Sequence, residues 1–459
     1  MIQTTAFSKK ISALQPGAKI LFANMPADGH FNPLTGLAVY LKALGHDVRW
    51  YTSPHYETKI ERLGIPFFPF QKTIDFAGDN IPEIFAERDK IKSQVGKLTF
   101  DLINVFILRS EEYYEDLKDI HAVFPFDVMV CDVAFTAIPF VKDNMHIPVV
   151  SVGIFPLCET SKDLAPNGLG LTPSYTFWGQ KKQALLRLLA DKILFKKPNA
   201  VMRKLLAKHG ISSGNSNVFD LAVRKSTLLL QSGTPGFEYK RSDLGKNVRF
   251  IGALLPHSKV KTESWFDERL LQYKKIVLVT QGTVEKDVTK ILVPTLEAFK
   301  NSDTLVIATT GGAQTEMLRT KYAAPNTIIE DFIPFADVLP YAQVYITNGG
   351  YGGVMLSIQN GVPMVTAGVH EGKNEICARV GYFGLGINLK TETPTAAQIQ
   401  KAVSKILADA TYKTNVRKLA EEFNQYSPQE LCADYIDDVL QTTKPKTYRQ
   451  VRAVSTEIY

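Results

Sequence analysis

In the segment "NMPADGHFNP", Asn24 to Pro33, the imidazole of His30 stands between an apolar run and a helical pattern. A neutral histidine there can accept a proton from a hydroxyl. The plainer reading is a histidine that caps the helix or packs at the surface. Asp132 closes a second apolar run, "DVMVCD". Alone, an acid in that place reads as a cap for the following helix. Facing His30, it would hold one ring nitrogen and offset the charge formed when the other takes a proton. The third cluster is "TNGGYGGVMLSIQNGVPMV", Thr347 to Val365, with Gly349, Gly350, Gly352 and Gly353 inside five positions. Glycines after a strand and before a helix let backbone N–H groups approach an anion, and the helix dipole adds positive charge. A tight turn is the alternative. The adjacent pair Gly349–Gly350 does not fit the dinucleotide spacing, and the loop lacks the Lys-Ser/Thr of a P-loop. Thr283, in the "TQGT" turn of the same half, is a second candidate phosphate contact.

These residues need elements to position them. "KILFAN" reads as a buried parallel strand. Leu34, Leu37, Ala38 and Leu41 then follow at helical spacing until Gly45, and "DVRWYTS" reads as the next strand. That is a βαβ unit. "DVMVCD" and "PVVSVG" continue the pattern. The second half repeats it with "KKIVLVTQGT", the helical "VPTLEAFKNS", "TLVIATTGG", "VYITNGG" and "PMVTAG". Two such series predict two doubly wound domains, with ligands beyond the carboxyl ends of the strands and the active site in the cleft between them. The boundaries fall at 1–240 for the first domain, 241–256 for a Gly-, Pro- and charge-rich linker, 257–430 for the second domain and 431–459 for a helical tail.

A chain of 459 residues is too long for one core, which agrees with two domains. The net charge of +7, from 53 basic and 46 acidic residues, is a small excess, and no nucleic-acid signature stands out. Cys131, Cys158, Cys377 and Cys432 are scattered, as reduced cytosolic thiols would be. The N-terminus lacks a signal-like apolar run, and nowhere do 18 apolar residues run together. A cytoplasmic protein without a membrane span is expected. The stretch Leu185 to Lys208 is basic and amphipathic. It reads first as a helix capping a domain with its lysines outward, and second as one lying on a membrane surface. Among the first domain's many phenylalanines, Phe76, Phe85 and Phe155 are candidates to line a flat apolar pocket.

Taken together, these clusters resemble the family 1 glycosyltransferases, in the bacterial branch that modifies macrolides and flavonoids. The resemblance is strongest over Lys19–Tyr56, Asp127–Pro156 and Lys275–Asn388, and most specific in "EDFIPFADVLPYAQVYITNGGYGG" and "GVPMVTAGVHEGKNE". It implies the GT-B fold, two Rossmann-like domains facing across a cleft. It also implies inverting sugar transfer from a nucleoside diphosphate to a small acceptor, with no cofactor and no metal.

By this resemblance His30 matches the general base and Asp132 its orienting acid. Gly29, Thr283, Phe332, Ile333, Asn348, Gly350, Gly352, Gly353, Glu371 and Lys373 fall among the donor-binding positions. Phe332 and Ile333 match the segment that stacks on and hydrogen-bonds the base; Glu371 to Asn374 match the segment that touches the sugar hydroxyls. The chain departs from the pattern at several of these. Asn348 replaces a histidine that donates to a phosphate, and its amide can also donate. Gly353 replaces a serine, Leu356 a ribose-binding glutamate and Phe332 a tryptophan. Gly372-Lys373 replaces an Asp-Gln pair, beside which Glu371 is expected to take the sugar contact. UDP-glucose is the first expectation for the donor and a dTDP-deoxysugar such as dTDP-rhamnose the second. The acceptor is expected to be an apolar hydroxylated molecule such as a phenol or flavonoid. Two other readings compete: a nucleotide-sugar epimerase, and a non-catalytic binder of an apolar small molecule with an eroded donor site. The tail is expected to cross back onto the first domain.

Overall fold

The computed structural model describes residues 17–78, 81–257, 264–282, 285–370 and 372–443. Thr283 and Glu371 lie outside them. The first half contains β1 (Lys19–Ala23), β2 (Asp47–Thr52), β3 (Phe67–Pro69), β4 (Val128–Asp132), β5 (Val149–Gly153), β6 (Leu228–Gln231) and β7 (Val248–Phe250). They form one sheet in the order β3-β2-β1-β4-β5-β6-β7, with every pair parallel. The second half contains β8 (Lys275–Thr280), β9 (Thr304–Thr309), β10 (Thr327–Glu330), β11 (Val344–Thr347), β12 (Met364–Thr366) and β13 (Gly386–Asn388). These form a second parallel sheet, β10-β9-β8-β11-β12-β13.

Both sheets are covered on their two faces, so their central strands are apolar throughout rather than alternating. β4, for example, is buried at all five positions. Strand order reverses at β1/β4 in the first sheet and at β8/β11 in the second. At such a switch point the connections leave to opposite sides and open a crevice at the carboxyl ends. His30 follows β1, Asp132 ends β4, and the glycine loop follows β11.

Two boundaries differ from the sequence reading. β7 falls inside the segment 241–256 expected as a linker and pairs with β6. Its three residues "VRF" are too short to show a period, and the Gly and charge around them mask the strand. The tail helix begins at Pro428 and runs to Thr443. Its buried side chains Cys432, Ala433, Ile436, Val439 and Leu440 share one core with Ile20, Phe22 and Leu34 of the first domain. Their spacing puts them on one helical stripe. No described helix is long and apolar enough to cross a membrane.

Candidate active site

The helix Asp28–Ala43 starts immediately after β1 and carries His30 in its first turn. Parallel pairing of β1 with β4 aligns Ala23 with Cys131, so the ends of the two strands lie side by side. This register brings His30 Nδ1 to 2.9 Å from Asp132 Oδ1. Asp132 is fully buried, while the His30 side chain keeps 22% exposure. A buried carboxylate needs donors, and the backbone supplies them. Met25 N–H donates to Oδ2 and Ala134 N–H to Oδ1, each at 2.8 Å. A carboxylate only accepts, so Nδ1 carries the ring proton and Nε2 is left as the acceptor. On the β2 side, Trp50 Nε1–H donates to Asn24 Oδ1 at 2.7 Å and Thr52 Oγ1 to the Asn24 carbonyl at 3.2 Å; on the β4 side, Met25 N–H is bound to Asp132. The turn that presents His30 is thereby fixed from both sides.

In the second domain a cavity of about 180 Å³ opens at the carboxyl ends of β8, β9 and β11. Thr280, Thr309 and Thr347 line its floor, and Asp331, Phe332, Ile333, Asn348, Gly350 and Gly353 its walls. Gly350 caps the helix Tyr351–Gln359. The N–H groups of the first helical turn have no intrahelical acceptors and carry the positive end of the dipole. They give the cavity a site for an anion.

The glycines have further, local reasons. Gly349 has φ +87°, and a Cβ there would meet Cys377 Sγ at 2.5 Å. A Cβ on Gly353 would meet Tyr345 Oη at 2.7 Å. Bare backbone at these two positions therefore answers to packing as well as to any ligand.

Of the sequence candidates, Phe332, Ile333, Asn348, Gly350 and Gly353 share this cavity. Phe332 is exposed at its mouth, whereas Ile333 is buried. Asn348 is also tied into the loop. Its Nδ2 donates to the Gln281 carbonyl, and its Oδ1 accepts from Gly350 N–H at 3.3 Å. The amide braces the loop from within. Gly352 is exposed, with open space around it, and does not line the cavity. Gly29 is exposed in the first domain's helix, apart from the cavity lining. Lys373 starts the helix Lys373–Tyr382 and packs its stem against Gly368 beside the loop.

Phe76 and Phe85 are buried with Met25 and Val105, and Ala134 packs against the same cluster. The chain neighbours that hold Asp132 thus rest on these rings. Phe155 is half-buried between two cores. Among the described residues no group of three or more His, Cys, Asp or Glu is arranged to hold a metal. All four cysteines are free and buried; burial pushes the Cys377 thiol up to about 11.

The contacts that join the two sheets were not among the sequence expectations. Tyr351 Oη donates to the Ser232 carbonyl, just beyond β6, at 2.7 Å. Arg379 is buried between Glu238 at 2.9 Å and Glu375 at 3.2 Å. Burial works against its charge, yet the two carboxylates outweigh this and hold it above its ordinary pKa. Glu375 Oε1 also accepts from the N–H groups of Gly168 and Gly170, both at 2.8 Å. Through these contacts the carboxyl edge of one sheet faces that of the other. The signal that could have found them is the pair Glu375 and Arg379, four apart on one helix.

Two Rossmann-like domains meeting at their carboxyl edges define the GT-B class of glycosyltransferases. The chain is 32% identical to the 4'-demethylrebeccamycin synthase of Lentzea aerocolonigenes, over 92% of this chain and 98% of that one. It is 31% identical to UDP-glycosyltransferase 2 of Phaeomoniella chlamydospora, over 92% and 95%. Residues 294–437 match the family "Erythromycin biosynthesis protein CIII-like, C-terminal domain". The fold superimposes on the glycotransferase of kitacinnamycin with a TM-score of 0.72 at 18% identity, covering 93% of this chain and all of that one. The chain belongs to the family 1 glycosyltransferases.

Proposed function

We propose that this transferase moves glucose from UDP-glucose to a hydroxyl of an apolar small molecule such as a phenol or flavonoid. The observation that carries the reading is the His30–Asp132 pair at the switch point of one sheet, combined with a cavity beside a helix N-terminus at the switch point of the other. The acceptor hydroxyl gives its proton to His30 Nε2 as its oxygen attacks the anomeric carbon. Asp132, held by two backbone donors, keeps the proton on Nδ1 and balances the imidazolium. The attack comes opposite the leaving group, so configuration inverts. The departing nucleoside diphosphate gathers charge that the helix N-terminus at Gly350 and Gly353 meets, without a metal in the scheme. Phe332 supplies a face for the base at the cavity mouth, and the Phe76–Phe85 cluster and Phe155 back the acceptor side. UDP is favoured over dTDP by the names of relatives at about a third identity.

The test is a turnover screen by mass spectrometry. The protein, with EDTA, meets mixed phenols and, in separate wells, UDP-glucose, UDP-galactose, UDP-N-acetylglucosamine and dTDP-rhamnose. A hexose gain with UDP-glucose supports the reading. A deoxyhexose gain with dTDP-rhamnose alone would replace the donor. Absence of product in every well, with no nucleotide bound, would leave the non-catalytic binder.

A further inference from the structure

The helix Phe177–Leu189, extended through Ala190–Leu194, is turned inside out. Helices on a soluble protein bury their leucines and expose their polar residues. Here the buried positions include Gln183 and Ala190. Gln183 is tied inward, accepting from Ser174 N–H at 2.8 Å and donating to the Asp163 and Ser174 carbonyls at 2.9 and 3.1 Å. Phe177, Trp178, Leu185, Leu188, Leu189 and Ile193 point outward, with Trp178 at 79% and Ile193 at 72% exposure. Lys181, Lys182 and Lys192 stand exposed among them. Nearby, Leu169, Leu171 and Tyr175 are exposed as well. A contiguous apolar patch of this kind marks an interaction surface.

The charge pattern selects the partner. From Phe177 to Lys197 the basic residues are Lys181, Lys182, Arg187, Lys192, Lys196 and Lys197, and Asp191 is the only acid. A second copy laid on this face would oppose lysine to lysine. An anionic bilayer satisfies both chemistries, with leucines entering the acyl boundary, tryptophan at the interface and ammonium groups on phosphates. We propose that the outward face of residues 177–194 docks on an anionic lipid surface and lies in its plane. The enzyme then works beside the phase in which an apolar acceptor dissolves. This stands whatever the donor proves to be.

The experiment is co-sedimentation of the full chain with phosphatidylcholine vesicles, with and without phosphatidylserine, alongside tryptophan emission. Wild type is expected to bind the phosphatidylserine vesicles, to release with salt, and to shift its emission to the blue. The Trp178→Phe variant should bind but lose that shift, because Trp50 is buried in the first domain's core and Trp265, the third tryptophan, packs against the core of the second domain, away from this face. Removing two charges as Lys181→Gln/Lys182→Gln should weaken partitioning roughly 25-fold. Leu185→Gln/Leu188→Gln, at exposed positions, should abolish it while the circular dichroism spectrum is unchanged. Wild type that ignores phosphatidylserine vesicles overturns the proposal, as does equal binding by the leucine variant. Self-association that the leucine variant abolishes would assign the face to a second copy and also overturn it.

A separate observation concerns the glycine loop. Tyr345, on β11, lines the donor cavity although its side chain is otherwise buried. Its Oη occupies the space into which a side chain at Gly353 would project. Burial keeps the phenol protonated, so toward an anion it acts as a donor. We infer that Tyr345 supplies, from the strand, the hydroxyl that the loop lacks at Gly353, and donates it to the diphosphate. This rests on the cavity taking a nucleoside diphosphate.

Calorimetry with UDP and with uridine separates the two claims. Tyr345→Phe should weaken UDP roughly ten- to a hundredfold and leave uridine nearly unchanged. Gly353→Ser alone should also weaken UDP, since its Cβ meets the phenol oxygen. The double variant Tyr345→Phe/Gly353→Ser should recover binding. If Tyr345→Phe binds UDP like wild type, the tyrosine assignment fails and the cavity reading stands. If wild type binds neither UDP nor dTDP, both fail.

Discussion

Replacing Asp132 by asparagine changes one atom in the fully buried core of the candidate active site. The carboxylate accepts three hydrogen bonds, from His30 Nδ1 and Ala134 N–H at Oδ1 and from Met25 N–H at Oδ2. An amide offers one oxygen and one NH2. With its oxygen at the Oδ1 position, the NH2 opposes Met25 N–H, and a buried donor is orphaned at about 1–3 kcal/mol. With its oxygen at the Oδ2 position, the NH2 faces His30 Nδ1 and Ala134 N–H. The imidazole must then accept at Nδ1, its proton moves to Nε2, and the base is gone. Either arrangement costs, and the second removes proton transfer. Asp132→Asn should lower kcat on an alcohol acceptor by about 10²- to 10⁴-fold, and His30→Ala should do the same. The double variant should be no worse than the singles, because the pair acts as one unit. Initial rates at saturating donor, with a thermal melt for each variant, are the assay. Wild-type kcat in a folded Asp132→Asn protein would refute the reasoning.

Other outcomes follow from the same structure. Phe332→Ala should raise the donor dissociation constant roughly 5- to 100-fold through lost base stacking; its exposure means the melting temperature should hold, and calorimetry checks both. Arg379→Met removes the cation from buried Glu375 at the domain junction and leaves Glu238 only the more distant Arg241, at 3.8 Å, so denaturant unfolding should show a loss of about 3–5 kcal/mol. His46 is buried, and burial lowers its pKa despite the opposing Asp437 charge and the Ala18 backbone. The stability it contributes is therefore present above the ordinary imidazole pKa and lost as pH falls below it. Melts from pH 7 to pH 5 should fall less steeply for His46→Gln than for wild type.

The strands nearest the switch points of both sheets were legible because burial on two faces writes them as apolar runs ending in turn residues. β3, β6, β7, β10 and β13 were not singled out from the sequence; each spans three or four residues, too few to show a period. His30 and Asp132 were legible as strand-end residues. Their contact was not, since the two residues lie 102 positions apart and meet only because β1 and β4 are neighbours. The glycine loop was read as bare backbone for an anion, yet Gly349 and Gly353 also yield to Cys377 and Tyr345, which no local pattern announces. Asn348 was read as a donor at the cavity, which it lines; its second tie, to the Gln281 carbonyl, was not legible. The Arg379 cluster joins distant segments and leaves no spacing signal beyond one helix.

The central claim is a single displacement in which His30 takes the acceptor proton while the diphosphate leaves from the opposite face. Its most direct test is the anomeric configuration of the glucoside made from α-linked UDP-glucose, read from the proton coupling of the purified product. The account predicts a β-glucoside from wild type and a rate collapse in His30→Ala. An α-glucoside, or undiminished β-glucoside formation on an alcohol by His30→Ala, would contradict it.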